Sequence, residues 1–99
     1  MNASRTTIVH VEPLAERWLR LSFGDGAVHE VDLAETFRAG GVFAAIRDHD
    51  DIFGAVAVDQ EFGVIVWPGD VDLDPDVLRG DRPSATGRPL PRRIIQIPA

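Results

Sequence analysis

An α+β fold is expected from three observations: one run of strictly alternating apolar residues, glycine-, proline- and aspartate-rich breaks every few residues, and short segments with helix-capping chemistry. The reading is an antiparallel sheet of about five short strands, a three-stranded meander plus a hairpin, with two or three short helices and an extended C-terminal tail. Ninety-nine residues suffice for one hydrophobic core and not for two. A single domain is expected over residues 1–80, followed by a Pro/Arg-rich tail over residues 81–99.

The meander opens with Thr7 to Val11 and continues from Arg17 to Phe23, where Leu19, Leu21 and Phe23 share one face and Trp18, Arg20 and Ser22 the other. Pro13 to Glu16 forms the turn between them, Gly24-Asp25-Gly26 the next tight connection, and Val28 to Asp32 the third strand. Asp32 suits the cap of a helix over Leu33 to Arg38, which Gly40 and Gly41 end. Val42 to Arg47 reads as a further helical turn or two, with Val42, Phe43 and Ile46 toward the sheet, and Asp48 to Asp51 as a polar break. Ala55 to Asp59 and Gly63 to Trp67 form the second hairpin. Asp74 as cap, Pro75 at the first position and Gly80 after the end define a short helix. Residues 81–91 read as an extended linker, and Arg92 to Ala99 is apolar enough to pair with a sheet edge, in this chain or in a partner.

Composition removes several chemistries. The chain has no cysteine, which excludes disulfides, thiolate–zinc sites and a cysteine nucleophile, and all ten basic residues are arginine, which excludes Schiff-base and phosphate-loop lysines. No serine stands in a nucleophile elbow and no glycine loop opens a helix as a dinucleotide site requires. An enzyme is not expected, and no cofactor. The polar start and the short apolar runs point to a cytoplasmic protein with neither leader nor membrane span.

The net charge is −6, unevenly spread: residues 1–81 hold all 16 acids and six arginines, while residues 82–99 hold four arginines and no acid. The acidic body repels nucleic-acid phosphate, so only the tail is suited to contact it. Asp70, Asp72 and Asp74 begin like a calcium loop, but Pro75 and Asp81 fall where such a loop needs glycine and glutamate. His49 lies among Asp48, Asp50 and Asp51 with no second histidine at helical spacing, and His10 and His29 lie in strands that could be neighbours. Capping and turn duties account for most of these acids.

Trp18 lies out of phase with the apolar face and beside Arg17 and Arg20, the composition of an interface anchor, or else it is covered by a helix or the tail. Trp67 ends a strand and suits the core or a pocket wall. The partner-binding candidates are Arg17, Trp18, Arg20, Trp67, Arg92, Arg93 and Ile95.

Val11-Glu12-Pro13-Leu14, Leu19 to Gly26, Val31-Asp32-Leu33, Gly41-Val42-Phe43, Ile46-Arg47-Asp48 and above all Ile65-Val66-Trp67-Pro68 through Asp72 to Leu78 resemble the small bacterial family called domain of unknown function 2442. Two features depart from its pattern: Gly69-Asp70 stands where members often carry Asn-Gly, and the basic tail has no counterpart. The family is often encoded beside another small protein, and no catalytic residue is established for it. The resemblance therefore implies a protein-binding module, antitoxin-like or regulatory, with a small partner encoded by a neighbouring gene; unpaired strand edges add the expectation of a homodimer. The alternative is a small-ligand or metal-binding domain at the acidic turns near His49 and Asp72, and the third reading is a weak nucleic-acid arm formed by the tail.

Overall fold

The computed structural model describes residues 5–99; the polar start at residues 1–4 lies outside them. Its strands form two antiparallel sheets. The larger joins β1 (Ile8–Pro13), β2 (Trp18–Phe23), β3 (Val28–Asp32) and β7 (Arg92–Gln96) in the order β1-β2-β3-β7. The smaller joins β4 (Ala57–Asp59), β5 (Val64–Trp67) and the two-residue β6 (Val71–Asp72). Four one-turn helices connect them: α1 (Ala34–Arg38), α2 (Ala44–Asp48), α3 (Asp50–Gly54) and α4 (Pro75–Arg79). The fold is α+β, as the patterning predicts, with seven strands in two sheets in place of about five in one.

Alternation places the core. Leu19, Leu21 and Phe23 of β2 are buried on one face, with Ile8 and Val31 from the flanking strands, and they join Ile65, Trp67, Phe37, Phe53, Ile46 and Leu78 in one apolar cluster. The aromatic centre is Phe37, which meets Trp67 edge-on at 5.6 Å between ring centroids and Phe53 at 6.4 Å. The indole Nε1–H of Trp67 donates to the Phe53 carbonyl at 3.0 Å, so the polar end of a fully buried ring is satisfied. The two sheets meet where the Ile8 N–H donates to the Gly63 carbonyl at 2.8 Å. Gly63 is required there, since its φ is +66° and a Cβ would stand 2.6 Å from the Thr7 methyl.

Local chemistry sets most boundaries. The Asp32 carboxylate accepts the Ala34 N–H at 2.9 Å at the start of α1, and Asp74 accepts the Asp76 N–H at 2.8 Å at the start of α4. Other boundaries move. The expected polar break at Asp48 to Asp51 shrinks to His49, and Asp50 and Asp51 occupy the first turn of α3, where negative charge suits the helix dipole. Ala55 and Val56 donate back to Ile52 and Phe53, closing that helix and delaying β4 to Ala57. A 3₁₀ turn at Gly41–Phe43 leaves Val42 exposed instead of facing the sheet, while Phe43 packs against the core and Ile46 is buried from α2.

The C-terminal tail takes one of the two pairings expected of it, at a sheet edge of its own chain. Ser84 and Leu90 are buried, Leu90 within the core, and β7 pairs antiparallel with β3 in the same chain, Glu30 opposite Arg93 and Val31 opposite Arg92. Backbone bonds extend the seam past the strand, from Asp32 N–H to the Pro91 carbonyl and from Ala99 N–H to the Asp25 carbonyl, both at 3.0 Å. The residues after Gly80 thus complete the large sheet.

Arg17, expected within a strand, belongs to a 3₁₀ turn (Ala15–Arg17) in which Glu16 and Arg17 have φ of 58° and 70°. Left-handed backbone costs a non-glycine residue roughly 1–2 kcal/mol. Glu16 is exposed. Glu16→Gly is expected to raise stability by up to about 1 kcal/mol in urea unfolding, part of the relief being offset by the entropy glycine adds to the unfolded chain. Trp67→Phe, which removes the bond to Phe53 and leaves a void, should lower stability by about 1–3 kcal/mol in the same measurement.

Candidate functional site

The outer face of the large sheet carries polar side chains in cross-strand register. Glu12 on β1 stands opposite Arg20 on β2, Arg20 opposite Glu30 on β3, and Glu30 opposite Arg93 on β7. These four side chains form one chain of ion pairs spanning every strand. Arg20 donates to Glu30 Oε2 through Nε at 2.9 Å and Nη2 at 2.7 Å, and reaches Glu12 at 3.3 Å. Arg93 donates through Nε to Glu30 Oε1 at 2.9 Å. Glu30 is buried beneath the two guanidiniums, and the Arg20 hydrogen bonds, followed by those of Arg93, hold its carboxyl below the ordinary carboxylate range. Both its oxygens are paired, which a buried carboxylate requires.

Arg93 also lies over the ring of Trp18, its guanidinium carbon 3.9 Å from the centroid. Trp18 is therefore partly covered by the tail strand and half-buried, not a free aromatic anchor. Beyond Arg93, β7 is the outer strand of the sheet on that side, and Ile94, Ile95 and Ile97 are 52%, 51% and 72% exposed. At the opposite side β1 leans on the smaller sheet through the Ile8–Gly63 bond.

The seven candidates thus separate. Trp18, Arg20 and Arg93 come together on the outer face, and Ile95 adjoins them on the edge. Trp67 is a core residue. Arg17 is spent internally: its guanidinium lies 4.9 Å from the Phe53 ring centroid, donates to the Arg47 carbonyl at 2.8 Å and pairs with Asp50 at 2.8 Å. Arg92 turns inward, donating to the carbonyls of Leu78 and Arg79 at 3.0 Å each and meeting His29 Nδ1 at 2.9 Å.

Sequence reasoning missed Glu30 and Arg79, weighed His29 only as half of a histidine pair, and read Ile94 and Ile97 only as part of an apolar strand end. The sole signal for Glu30 was its phase, matching Arg20 across the turn; nothing local marked Arg79, whose side chain is buried, paired with Asp25 at 2.9 Å and stacked 4.7 Å from the Phe23 ring centroid. His10 and His29 do not pair. They lie on different strands with β2 between them, His10 opposite Ser22 and His29 opposite Leu21, on opposite faces. Among the described residues, no three histidine, aspartate or glutamate side chains gather as a metal-binding group, and His49 and Asp72 belong to separate elements. All four tail arginines have partners within the chain, Arg82 with Asp74 and Asp76, Arg88 with Glu35, Arg93 with Glu30, and Arg92 as above. No helix of the described residues is long and apolar enough to cross a membrane.

His29 reports on this arrangement. An arginine can only donate, so Nδ1 accepts and the neutral ring carries its proton on Nε2. Burial, reinforced by the Arg92 and Arg79 charges and opposed by Asp25, pushes the imidazole down from 6.5 to about 4. The unfolded chain then binds a proton that the folded chain refuses across that interval, so stability is full above pH 6.5 and falls as the pH is lowered toward 4. Urea unfolding as a function of pH should show a slope of up to ~1.4 kcal/mol per unit in that window. His29→Gln should flatten it. Asp25 and Glu30, held low by Arg79 and Arg20, add losses concentrated at the acid end.

No curated protein and no solved structure matches the chain. A family model does: residues 8–84 match the one described as Protein of unknown function (DUF2442), a span running from the first strand into the segment after α4. With more than three quarters of its length matched, the chain belongs to the DUF2442 family.

Proposed function

We propose that this chain is a non-catalytic protein-binding module, the regulatory or antitoxin-like member of a small bacterial two-protein system, which takes up an extended segment of its partner by strand addition along β7. The observation that carries the reading is the outer edge of β7. A terminal strand presents unpaired N–H and C=O groups on its free side, and proteins ordinarily blunt such an edge with charge. Here the two charges on the strand, Arg92 and Arg93, both turn back to their own chain, and Ile94, Ile95 and Ile97 are left exposed along it. Strand addition would use the backbone groups for affinity and alternate isoleucines for side-chain selection. The net charge of −6 favours a partner of basic character.

The chemistry available to the chain supports a non-catalytic role. Cysteine and lysine are absent, and the buried Ser84 hydroxyl is held by Thr86 Oγ1 and the Arg88 carbonyl, both at 2.7 Å. The engagement of the tail arginines favours the protein-binding reading over a nucleic-acid arm.

Co-expression with the product of the neighbouring gene, followed by native mass spectrometry, tests the reading. A one-to-one complex is expected. Ile95→Lys, which adds charge to an exposed edge position, should weaken it tenfold or more with little change in melting temperature, while Trp67→Phe should lower the melting temperature and leave the complex intact. A complex indifferent to Ile95→Lys would exclude the β7 edge. A pure dimer of this chain that leaves no β7 amide free for a partner would reassign the edge to self-association, and turnover of a metabolite without any protein complex would remove the reading altogether.

A further inference from the structure

One face of the small sheet is left open. Alternation along its strands turns Val58, Ile65 and Trp67 toward the core and sets Asp59, Val64, Val66 and Asp72 on the other side. An open groove of about 360 Å³ lies there, lined by these four residues with Phe62 and Asp70. Val64 stands opposite Asp59 on β4 and Val66 opposite Asp72 on β6, so the apolar floor has a carboxylate on either side of it. Asp70 adds a third, and Phe62, in the turn between β4 and β5, is an exposed aromatic ring at the groove.

The charge of the groove is one-sided. No arginine lines it, and among the described residues the ion pairs all engage other acids. Asp59 Oδ1 accepts the Glu61 and Phe62 N–H groups at 3.0 and 3.4 Å, while Asp70 and Asp72 are exposed. Among the described residues no three acids gather as a metal-binding group, so these carboxylates border the floor without converging on one point. A small ion would gain nothing from the two valines or the ring. A cation with a long apolar stem matches all three features, the negative border, the apolar floor and the exposed aromatic.

We propose that this face docks a basic, extended segment of the protein partner, with arginine stems laid over Val64 and Val66 and guanidiniums meeting the aspartates and the Phe62 ring. An arginine stem covers apolar surface while its head keeps to charge and water. The planar head pairs with a carboxylate through two hydrogen bonds and stacks on an aromatic face, which a lysine ammonium does less well. The inference rests on the protein-binding reading for the existence of the partner. It adds a second contact surface, on the small sheet, whereas strand addition uses the β7 edge of the large one.

The probe is an acetylated, amidated pentapeptide with arginine at its second and fourth positions and glycine elsewhere, titrated into the full chain and followed by the methyl shifts of Val64 and Val66. Saturable shifts are expected, several-fold weaker with lysine in place of arginine, and absent with citrulline, which keeps the shape and loses the charge. Asp70→Asn combined with Asp72→Asn should weaken the arginine peptide about tenfold, through the loss of two exposed ion pairs. Glu16→Gln combined with Asp51→Asn removes the same charge from outside the groove and should change binding less than about twofold at ~0.1 M salt, where exposed charges are screened. Phe62→Ala should abolish the preference for arginine over lysine, and Ile95→Lys should leave the titration as it is. The titration is made without the partner, so it fails or succeeds separately from the co-expression experiment. No saturable shift at Val64 and Val66, or equal weakening by the two double variants, overturns the inference.

Discussion

The Arg92 guanidinium holds the C-terminal part of the chain to the rest. From the inner face of β7 it donates to the last two carbonyls of α4, Leu78 and Arg79, and to the neutral ring of His29 on β3. Helix ends leave carbonyls without intrahelical partners, and a cation at that end satisfies them and the dipole together. One side chain thus ties a strand to a helix and a second strand. The fit leaves no slack at Gly80, whose φ is +97° and where a Cβ would come within 3.0 Å of the guanidinium. Burial, with Arg79 close by, lowers the Arg92 pKa from its ordinary value, and burial first, with the nearby cations second, keeps His29 neutral.

With β7 fixed in this way, the outer face follows. Arg93 alternates with Arg92 along the strand, so anchoring Arg92 inward sends Arg93 outward onto Glu30 and Trp18. The ion-pair chain from Glu12 to Arg93 then closes across all four strands. Exposed pairs of this kind contribute little individually, but the shared central carboxylate is buried, and the two guanidiniums together pair both of its oxygens. The same geometry uses up the charges that would otherwise shield the edge, which is why the isoleucines of β7 stand bare.

Much of the site was legible in part. The phase of Trp18 and Arg20 against Leu19, Leu21 and Phe23 assigned them to the outer face, and the apolar end of the tail marked it as a strand in search of an edge. The role of each was not legible. Whether Trp18 is bare or covered depends on Arg93, which is 75 positions away in the chain, and whether Arg17 is free depends on Phe53 and Asp50, brought to it by α3. Trp67 was readable as core or wall because an aromatic that ends an apolar strand must bury its ring, and only the packing of Phe37 and Phe53 around it decides that it is core.

The sequence by itself determined the α+β class, the meander, the second hairpin, the capped helix after Asp74 and the lack of cysteine and lysine chemistry. These depend on side-chain period, capping and turn residues, which act over a few positions of chain. Tertiary structure decided the division into two sheets, the return of the tail to β3 and the burial of Glu30, Arg79 and Arg92. Each of those is a pairing between residues distant in sequence, and charge or polarity alone does not specify a partner until packing has fixed which groups are left within reach of one another.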